Sequence, residues 1–312
     1  MRAKVGVVGT PSSELLVALA ERFEVYELGN SPDPAAIPKD AATVQVLVTG
    51  GTHGASRSLM EALPGLELIA VHGVGLDKLD LAHARARGIK ISNTPDVLTD
   101  DVADLAVGLV YAVLRRITLN DQFVRAGRWE QGVSPLRGRR VTCQAVGILG
   151  LGKIGRAIAK RLSPTARELM YHNRSRVDDV SYRYVPSVLQ LAEQSDILIV
   201  AASGGPASSN LIDAAVLDAL GSDGVLINVA RGSIVDEPAL LAALRDGRIA
   251  GAGLDVFASE PHVPHDLTAL PNVVLQPHQG SATVEARRDM ARLVLANIEA
   301  HLGNGPLVTP VL

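Results

Sequence analysis

Gly150-Leu151-Gly152-Lys153-Ile154-Gly155 follows the short apolar run Ala145-Val146-Gly147-Ile148-Leu149 and leads into Ile154, Ala157, Ile158 and Leu162 at helical spacing. Arg156, Lys160 and Arg161 fall between those apolar positions. The order is strand, tight turn, helix, and that context makes a G-x-G-x-x-G match specific. Gly150 serves the turn, Gly152 leaves room for a pyrophosphate, and Gly155 permits close packing of helix on strand. Phosphates then meet free N–H groups and the positive end of the helix dipole. Lys153 and Ile154 open that helix. The segment predicts a dinucleotide site.

The next strand bears on which dinucleotide. It reads Glu168-Leu169-Met170-Tyr171-His172 and ends in Asn173-Arg174-Ser175-Arg176, with no carboxylate at its tip to hold a ribose 2′-hydroxyl. An arginine there pairs with a 2′-phosphate through parallel charge-assisted bonds. The expected cofactor is therefore NADP, with NADPH preferred over NADH. Arg174 is the main contact, assisted by Asn173 and Ser175. Asp178 and Asp179 lie too far along the loop to replace the missing carboxylate.

Composition narrows the class. A chain of 312 residues suits two domains of ordinary size, and 47% hydrophobic with 20% charged residues suits a globular protein with a substantial core. A net charge of −3 gives no reason to expect nucleic acid or an anionic membrane as partner, and 3% aromatics leave little for base stacking. The single Cys143 cannot form an intramolecular disulfide or a thiolate metal cluster, and no metal site is expected. With no signal-peptide pattern and no apolar run long enough for a bilayer, the expected location is cytoplasmic.

Two strand–helix series are legible. The first contains Ala3–Gly9, a helix over Glu14–Glu21, Val44–Val48, Leu66–Val71 and Ile89–Ile91, with a surface loop at Asn30–Pro34. The second starts with a long helix from about Asp100 to Ile117, capped by Thr99 or Asp100, with Leu105, Leu109, Ala112 and Val113 as its apolar face. Strands at Asp196–Val200, Gly224–Asn228, Gly251–Asp255 and Asn272–Leu275 follow the glycine motif, and a helix over Ala286–His301 ends the chain. Alternation of this kind predicts an α/β fold with two doubly wound parallel sheets. The expected division is residues 1–98 as the first part of a flavodoxin-like substrate domain and 99–284 as an inserted Rossmann domain. Residues 285–312 form a helix returning to the substrate domain, and the cleft lies between the two domains.

Three chemically active residues stand just past strand ends, where open α/β sheets bind ligands: Arg231, Glu260 and His278. Reduction of a 2-oxo acid needs a cation for the carboxylate, a proton donor for the carbonyl oxygen and a group that tunes the donor. Arg231 supplies a planar fork, His278 titrates near working pH, and a carboxylate such as Glu260 favours a charged imidazole and fixes its orientation.

The chain resembles the D-isomer-specific 2-hydroxyacid dehydrogenase family over nearly its whole length. The segments that carry the likeness are Val71–Asp77, Asn93–Thr99, Gly150–Gly155, Asn228–Gly232, Gly253–Phe257 with Glu260-Pro261, and Pro277–Ser281. Within the family it is most similar to NADPH-dependent glyoxylate/hydroxypyruvate reductases and hydroxyphenylpyruvate reductases, through Asn173-Arg174-Ser175 and Thr94–Asp104. The resemblance implies a catalytic triad of Arg231, Glu260 and His278. It implies that Val74 and Gly75 N–H groups hold the substrate carboxylate and that Asp255 accepts from the nicotinamide carboxamide. Thr99, Ile154, Val229, Ala230 and Gly280 would line the cofactor. Thr49–Gly54 matches the family's substrate-facing loop, so Thr52 and His53 are candidate substrate contacts.

The expected activity is reduction of a small 2-oxo acid to the D-2-hydroxy acid. The alternatives are an NADH-dependent phosphoglycerate or lactate type dehydrogenase and a non-catalytic nucleotide-sensing protein. Ser203-Gly204-Gly205-Pro206 departs from the family loop at that place and is assigned no cofactor contact. His72 is read as packing, and Trp129 as a packing or subunit-contact residue. The long helix from Asp100 makes a homodimer the expected assembly.

Overall fold

The computed structural model describes residues 2–30, 32, 34 and 37–312, and divides into two compact units. One holds residues up to Leu98 together with Thr283–Leu312, and the other holds Thr99–Ala282. Ser31 and Asp33 of the expected Asn30–Pro34 loop lie outside the described residues.

The first unit is built on five parallel strands, β1 (Lys4–Val8), β2 (Glu24–Glu27), β3 (Val46–Gly50), β4 (Leu68–His72) and β5 (Lys90–Ser92). Their order is β2-β1-β3-β4-β5, so the winding reverses between β1 and β3. Val5, Val7, Val46, Val48, Leu68 and Ala70 face one side and Leu47, Ile69 and Val71 the other, which is why these strands read as unbroken apolar runs. The first face packs on α1 (Ser13–Arg22) and the C-terminal helix α11 (Val284–Leu302), through Leu15, Leu19, Ala291, Val294 and Ile298. Short helices α2 (Arg57–Ala62) and α3 (Leu81–Ala86) belong to the same unit. Thr283 caps α11, its hydroxyl accepting from Ala286 N at 3.0 Å, and the helix begins at Val284, two residues before the expected start.

The second unit opens with α4 (Thr99–Leu114) and α5 (Ile117–Arg125). The single helix expected to Ile117 ends at Leu114, because Arg116 takes a left-handed conformation at φ 53°. Thr99 and Asp100 lie inside the first turn of α4 rather than before it, where Asp100 and Asp101 complement the helix dipole. Its buried positions are Val102, Ala103, Ala106, Leu109, Val110 and Leu114, a stripe rotated from the expected one. Leu105, Ala112 and Val113 lie at its margins.

Seven parallel strands follow: β6 (Ala145–Leu149), β7 (Glu168–His172), β8 (Arg183–Tyr184), β9 (Ile197–Val200), β10 (Val225–Asn228), β11 (Gly251–Leu254) and β12 (Val273–Leu275). Their order is β12-β11-β10-β9-β6-β7-β8, so here the winding reverses between β6 and β9. The connecting helices are α6 (Lys153–Leu162), α7 (Val188–Glu193), α8 (Ala214–Leu220), α9 (Glu237–Arg245) and α10 (His265–Thr268). Arg161 of α6 donates to Asp104 at 2.6 Å and to Asp100 at 2.9 Å, one turn apart on α4. That clamp gives a structural task to two acidic residues of the Thr94–Asp104 segment.

Candidate active site

In the second unit a groove of about 540 Å³ opens at the switch point, outside the ends of β6 and β9, where doubly wound sheets bind ligands. Gly150 and Gly152 form its floor, Asn173, Arg174 and Ser175 one wall, and Ala201–Ser208 the other. Gly150 sits at φ 97°, and a Cβ there would lie 2.6 Å from Ala202 Cα. A Cβ on Gly155 would run into the Gly150 carbonyl oxygen, so helix α6 reaches this close to the turn only with glycine. Gly152, by contrast, has nothing within 4 Å of where its Cβ would stand, and as N-cap of α6 it supplies no side chain to the first turn. The cradle is open at the positive end of the helix, as a pyrophosphate requires. Lys153 and Ile154 begin α6 beside it.

Asn173 does more than flank Arg174. Its Oδ1 accepts from Leu151 N at 2.7 Å and so fastens the glycine turn to the tip of β7. Arg174 and Ser175 are exposed along the groove. Asp179 is taken by Arg156, with contacts of 2.6 and 2.9 Å. The Ser203–Pro206 loop, assigned no cofactor contact from sequence, walls the groove opposite Arg174.

Arg231, Glu260 and His278 lie beyond β10, β11 and β12 of the same unit. His278 Nδ1 and Glu260 Oε2 are 2.7 Å apart, and Glu260 Oε1 accepts from Phe257 N at 2.9 Å. Burial pushes the Glu260 carboxyl up, but the His278 hydrogen bond and charge, the Phe257 N–H and the Arg231 charge outweigh it and hold it below the ordinary value. Glu260 is therefore a carboxylate that can only accept, so His278 Nδ1 carries the hydrogen and Nε2 is left for chemistry. Apolar side chains of Phe257, Val263 and Leu275 enclose a cavity of about 240 Å³ beside the pair.

His278 occupies the left-handed region at φ 56°, a conformation that costs a non-glycine residue about 1–3 kcal/mol. Asp255 maintains it. The Asp255 carbonyl accepts from His278 N at 2.9 Å, and its carboxylate oxygens accept from Gln279 N at 2.6 Å and Gly280 N at 2.9 Å. Burial drives the Asp255 carboxyl up against those N–H groups, and the residue is 1% exposed. Its visible task is to pin the turn that presents His278.

Two residues of the Asn228–Gly232 segment have positioning roles that the sequence reading did not assign. Asn228 at the end of β10 accepts from Ala230 N and donates to Arg231 O, both at 3.0 Å, shaping the Val229–Arg231 loop. An Asn closing a strand before a turn is the signal that could have revealed it. A Cβ on Gly232 would collide with the Phe257 carbonyl, so only glycine brings the Arg231 loop against the segment leading to Glu260. Val229 and Ala230 are buried, at 7% and 8%. Thr99 is the first residue of α4.

In the first unit, Val74 and Gly75 follow β4, and their N–H groups make no backbone hydrogen bond to other described residues. Asn93 Nδ2 donates to Val74 O at 3.4 Å. Thr52 Oγ1 and His53 Nδ1 are 3.1 Å apart in the turn after β3, and burial lowers the His53 pKa. His72, expected to pack, is indeed buried, but its Nε2 has no hydrogen-bond partner. Trp129 is 68% exposed and packs against little of its own chain.

Comparison with known proteins decides the family. A profile described as D-isomer specific 2-hydroxyacid dehydrogenase, NAD binding domain, matches residues 107–280. The chain belongs to the D-isomer-specific 2-hydroxyacid dehydrogenase family. Among these dehydrogenases, a 2-ketogluconate reductase from Gluconobacter oxydans is 50% identical over 272 residues, covering 87% of each chain. A glyoxylate/hydroxypyruvate reductase A from Arabidopsis thaliana is 46% identical over 302 residues, covering 96% of each. The crystal structure of an NADPH-dependent glyoxylate/hydroxypyruvate reductase from Sinorhizobium meliloti, in complex with NADP and malonate, superposes with a TM-score of 0.93. It is 42% identical and covers 100% of this chain and 97% of the other. This dehydrogenase thus carries its family's nicotinamide-binding domain on the unit that holds the groove and the histidine–carboxylate pair.

Proposed function

We propose that the protein reduces a small 2-oxo acid of the glyoxylate/hydroxypyruvate or phenylpyruvate type to the D-2-hydroxy acid, using NADPH in preference to NADH. The observation that carries this reading is the 2.7 Å contact between His278 and a Glu260 held as a carboxylate, in the unit that contains the glycine turn.

Three features support a fit to the cofactor: an open cradle at Gly152, the start of α6 at Lys153, and a cationic side chain at Arg174 where no carboxylate stands for a ribose 2′-hydroxyl. Gly150, Gly152, Lys153, Ile154 and Gly155 would hold the phosphates, and Asn173, Arg174 and Ser175 the 2′-phosphate end. Thr99, Val229, Ala230, Asp255 and Gly280 would border the nicotinamide end. Bound reduced nicotinamide supplies the hydride that reaches the carbonyl carbon. Arg231 binds the substrate carboxylate and polarises the carbonyl. His278 donates the proton on Nε2 to the carbonyl oxygen, while Glu260 stabilises its charged form and fixes the ring. In the other unit, Val74 and Gly75 offer N–H donors to a carboxylate, and Thr52 with His53 offers polar contacts to the rest of the acid.

A homodimer is part of the same proposal. Ile117, Val124, Trp129 and Leu136 are 52–68% exposed along α5 and the segment after it, apolar side chains that a second subunit would cover. Sedimentation of the purified protein tests it: a single species at twice the 32.7 kDa chain mass is expected, and a monomer at micromolar concentration contradicts it.

Initial rates of NADPH and NADH oxidation against glyoxylate, hydroxypyruvate, 2-ketogluconate and phenylpyruvate test the activity. NADPH-dependent turnover of glyoxylate or hydroxypyruvate is expected. Preference for phenylpyruvate retains the mechanism and moves the protein to the aryl-pyruvate reductases. Cofactor binding without turnover of any 2-oxo acid contradicts the reading in favour of a nucleotide sensor.

A further inference from the structure

The seam between β4 and α11 changes character at one end. Along most of its length Leu68 and Ala70 of the strand meet Ala291, Val294 and Ile298 of the helix. Strand alternation places the next inward position at His72, and helical spacing places the next at Arg287, one turn before Ala291. The packing of α11 on β4 thus carries Arg287 toward His72, and the Arg287 charge adds to burial in lowering the His72 pKa. Thr94 joins them: Ala70 is registered with Ser92, and continuing that parallel register two residues sets His72 beside Thr94, in accord with Thr94 N donating to Gly73 O at 3.0 Å.

These three groups have unmet hydrogen-bonding capacity. His72 is 6% exposed with no partner for Nε2, and Thr94 is fully buried with no partner for Oγ1. Arg287 is half-buried, its pKa lowered by desolvation alone, and its guanidinium makes no ion pair or hydrogen bond among the described residues. Buried polar atoms are nearly always satisfied, and a buried cation is ordinarily paired. Three such vacancies together at the end of an apolar seam, beside the first turn of a 19-residue helix, describe a site whose missing partner is an acceptor carrying negative charge.

We propose that His72, Thr94 and Arg287 form a carboxylate-binding subsite of the first unit, separate from the Arg231 centre of the second. Arg287 supplies the charge, Thr94 a hydroxyl donor and His72 an Nε2–H donor in its neutral form. The occupant is the carboxylate group of a free small acid.

Thermal unfolding of the full-length protein in malonate, with neutral malonamide at the same concentration as control, tests the site without any turnover. Near saturation malonate should raise the Tm by about 2 °C or more over malonamide. In an Arg231→Gln background, which removes the carboxylate site of the second unit, the rise should persist, vanish on adding Arg287→Gln, shrink with Thr94→Val and return in part with Arg287→Lys. The lysine and valine variants keep the test decisive where glutamine fails to fold. A rise that survives Arg287→Gln in that background, or that is absent from Arg231→Gln alone, overturns the proposal.

Discussion

Arg174 has neither an ion pair nor a hydrogen bond among the described residues, and it stands exposed on the groove wall where a carboxylate would otherwise select NADH. Removing it should therefore discriminate between cofactors. Arg174→Ala is expected to raise KM for NADPH by about tenfold or more, the worth of a charge-assisted pair, and to leave KM for NADH within about twofold. Equal effects on both cofactors, read from initial rates, would contradict the 2′-phosphate assignment. Glu260 sets a second prediction. Its carboxyl is held below the ordinary range, so the charged form persists as pH falls through that range and is lost only below it. Stability supplied by its partners is full above the ordinary carboxylate value and disappears as pH drops through the depressed one. Glu260→Gln should abolish this acid-side dependence, read by denaturant unfolding at a series of pH values, and lower kcat, read from initial rates. His72 gives the opposite experience of burial. Desolvation, aided by the Arg287 charge, lowers its pKa from 6.5 to about 4. The unfolded chain then binds the extra proton between those values, so stability rises with pH from about 4 to 6.5, by on the order of 3 kcal/mol if fully expressed. In His72→Gln, denaturant unfolding at a series of pH values should lose that slope.

At the scale of elements, the strand-turn-helix at Gly150 was legible because its constraints are local: an apolar strand, glycines at fixed offsets, an amphipathic helix. The ends of β10, β11 and β12 were legible too, since Arg231, Glu260 and His278 each follow a short apolar run. Long-range constraints were not. Gly232 is needed because Phe257, twenty-five residues away, runs against it, and nothing in its own neighbourhood announces this. Strands β2 and β8 also escaped. Glu24–Glu27 has exposed glutamates at both ends and Arg183–Tyr184 is two residues long, so each lacks the apolar run of a central strand and forms a sheet edge instead. The break at Arg116 was hidden because arginine does not ordinarily adopt a positive φ. Asn228 belongs with these long-range features in consequence though not in cause. Asn228→Ala removes two buried hydrogen bonds and is expected to cost about 2–3 kcal/mol in urea unfolding and to raise KM for the 2-oxo acid as the Arg231 loop loosens. Unchanged stability and KM would mean that the loop is shaped by other contacts.

At the scale of the whole molecule, the two parallel sheets follow one rule: each reverses its winding at a single point, and candidate binding residues stand outside the strand ends. The first unit is completed from both ends of the chain. Asn297 of α11 accepts from Thr309 N at 3.0 Å and donates to its Oγ1 at 2.9 Å, and that hydroxyl donates to Asn93 O at 2.6 Å. Val311 N donates to Ile91 O at 2.7 Å, so the final residues run along β5. The helix and tail that close the chain are thus part of the first unit's core and of the support beneath Val74. The central claim remains the chemistry of the second unit, and one measurement reaches it directly. Single-turnover oxidation of enzyme-bound NADPH by hydroxypyruvate or glyoxylate should be about 10²–10⁴-fold slower in His278→Gln than in the unaltered protein, with NADPH affinity, read by fluorescence titration, unchanged. Turnover at the original rate in His278→Gln would contradict the assignment of His278 as the proton donor and, with it, the mechanism built on the pair it forms with Glu260.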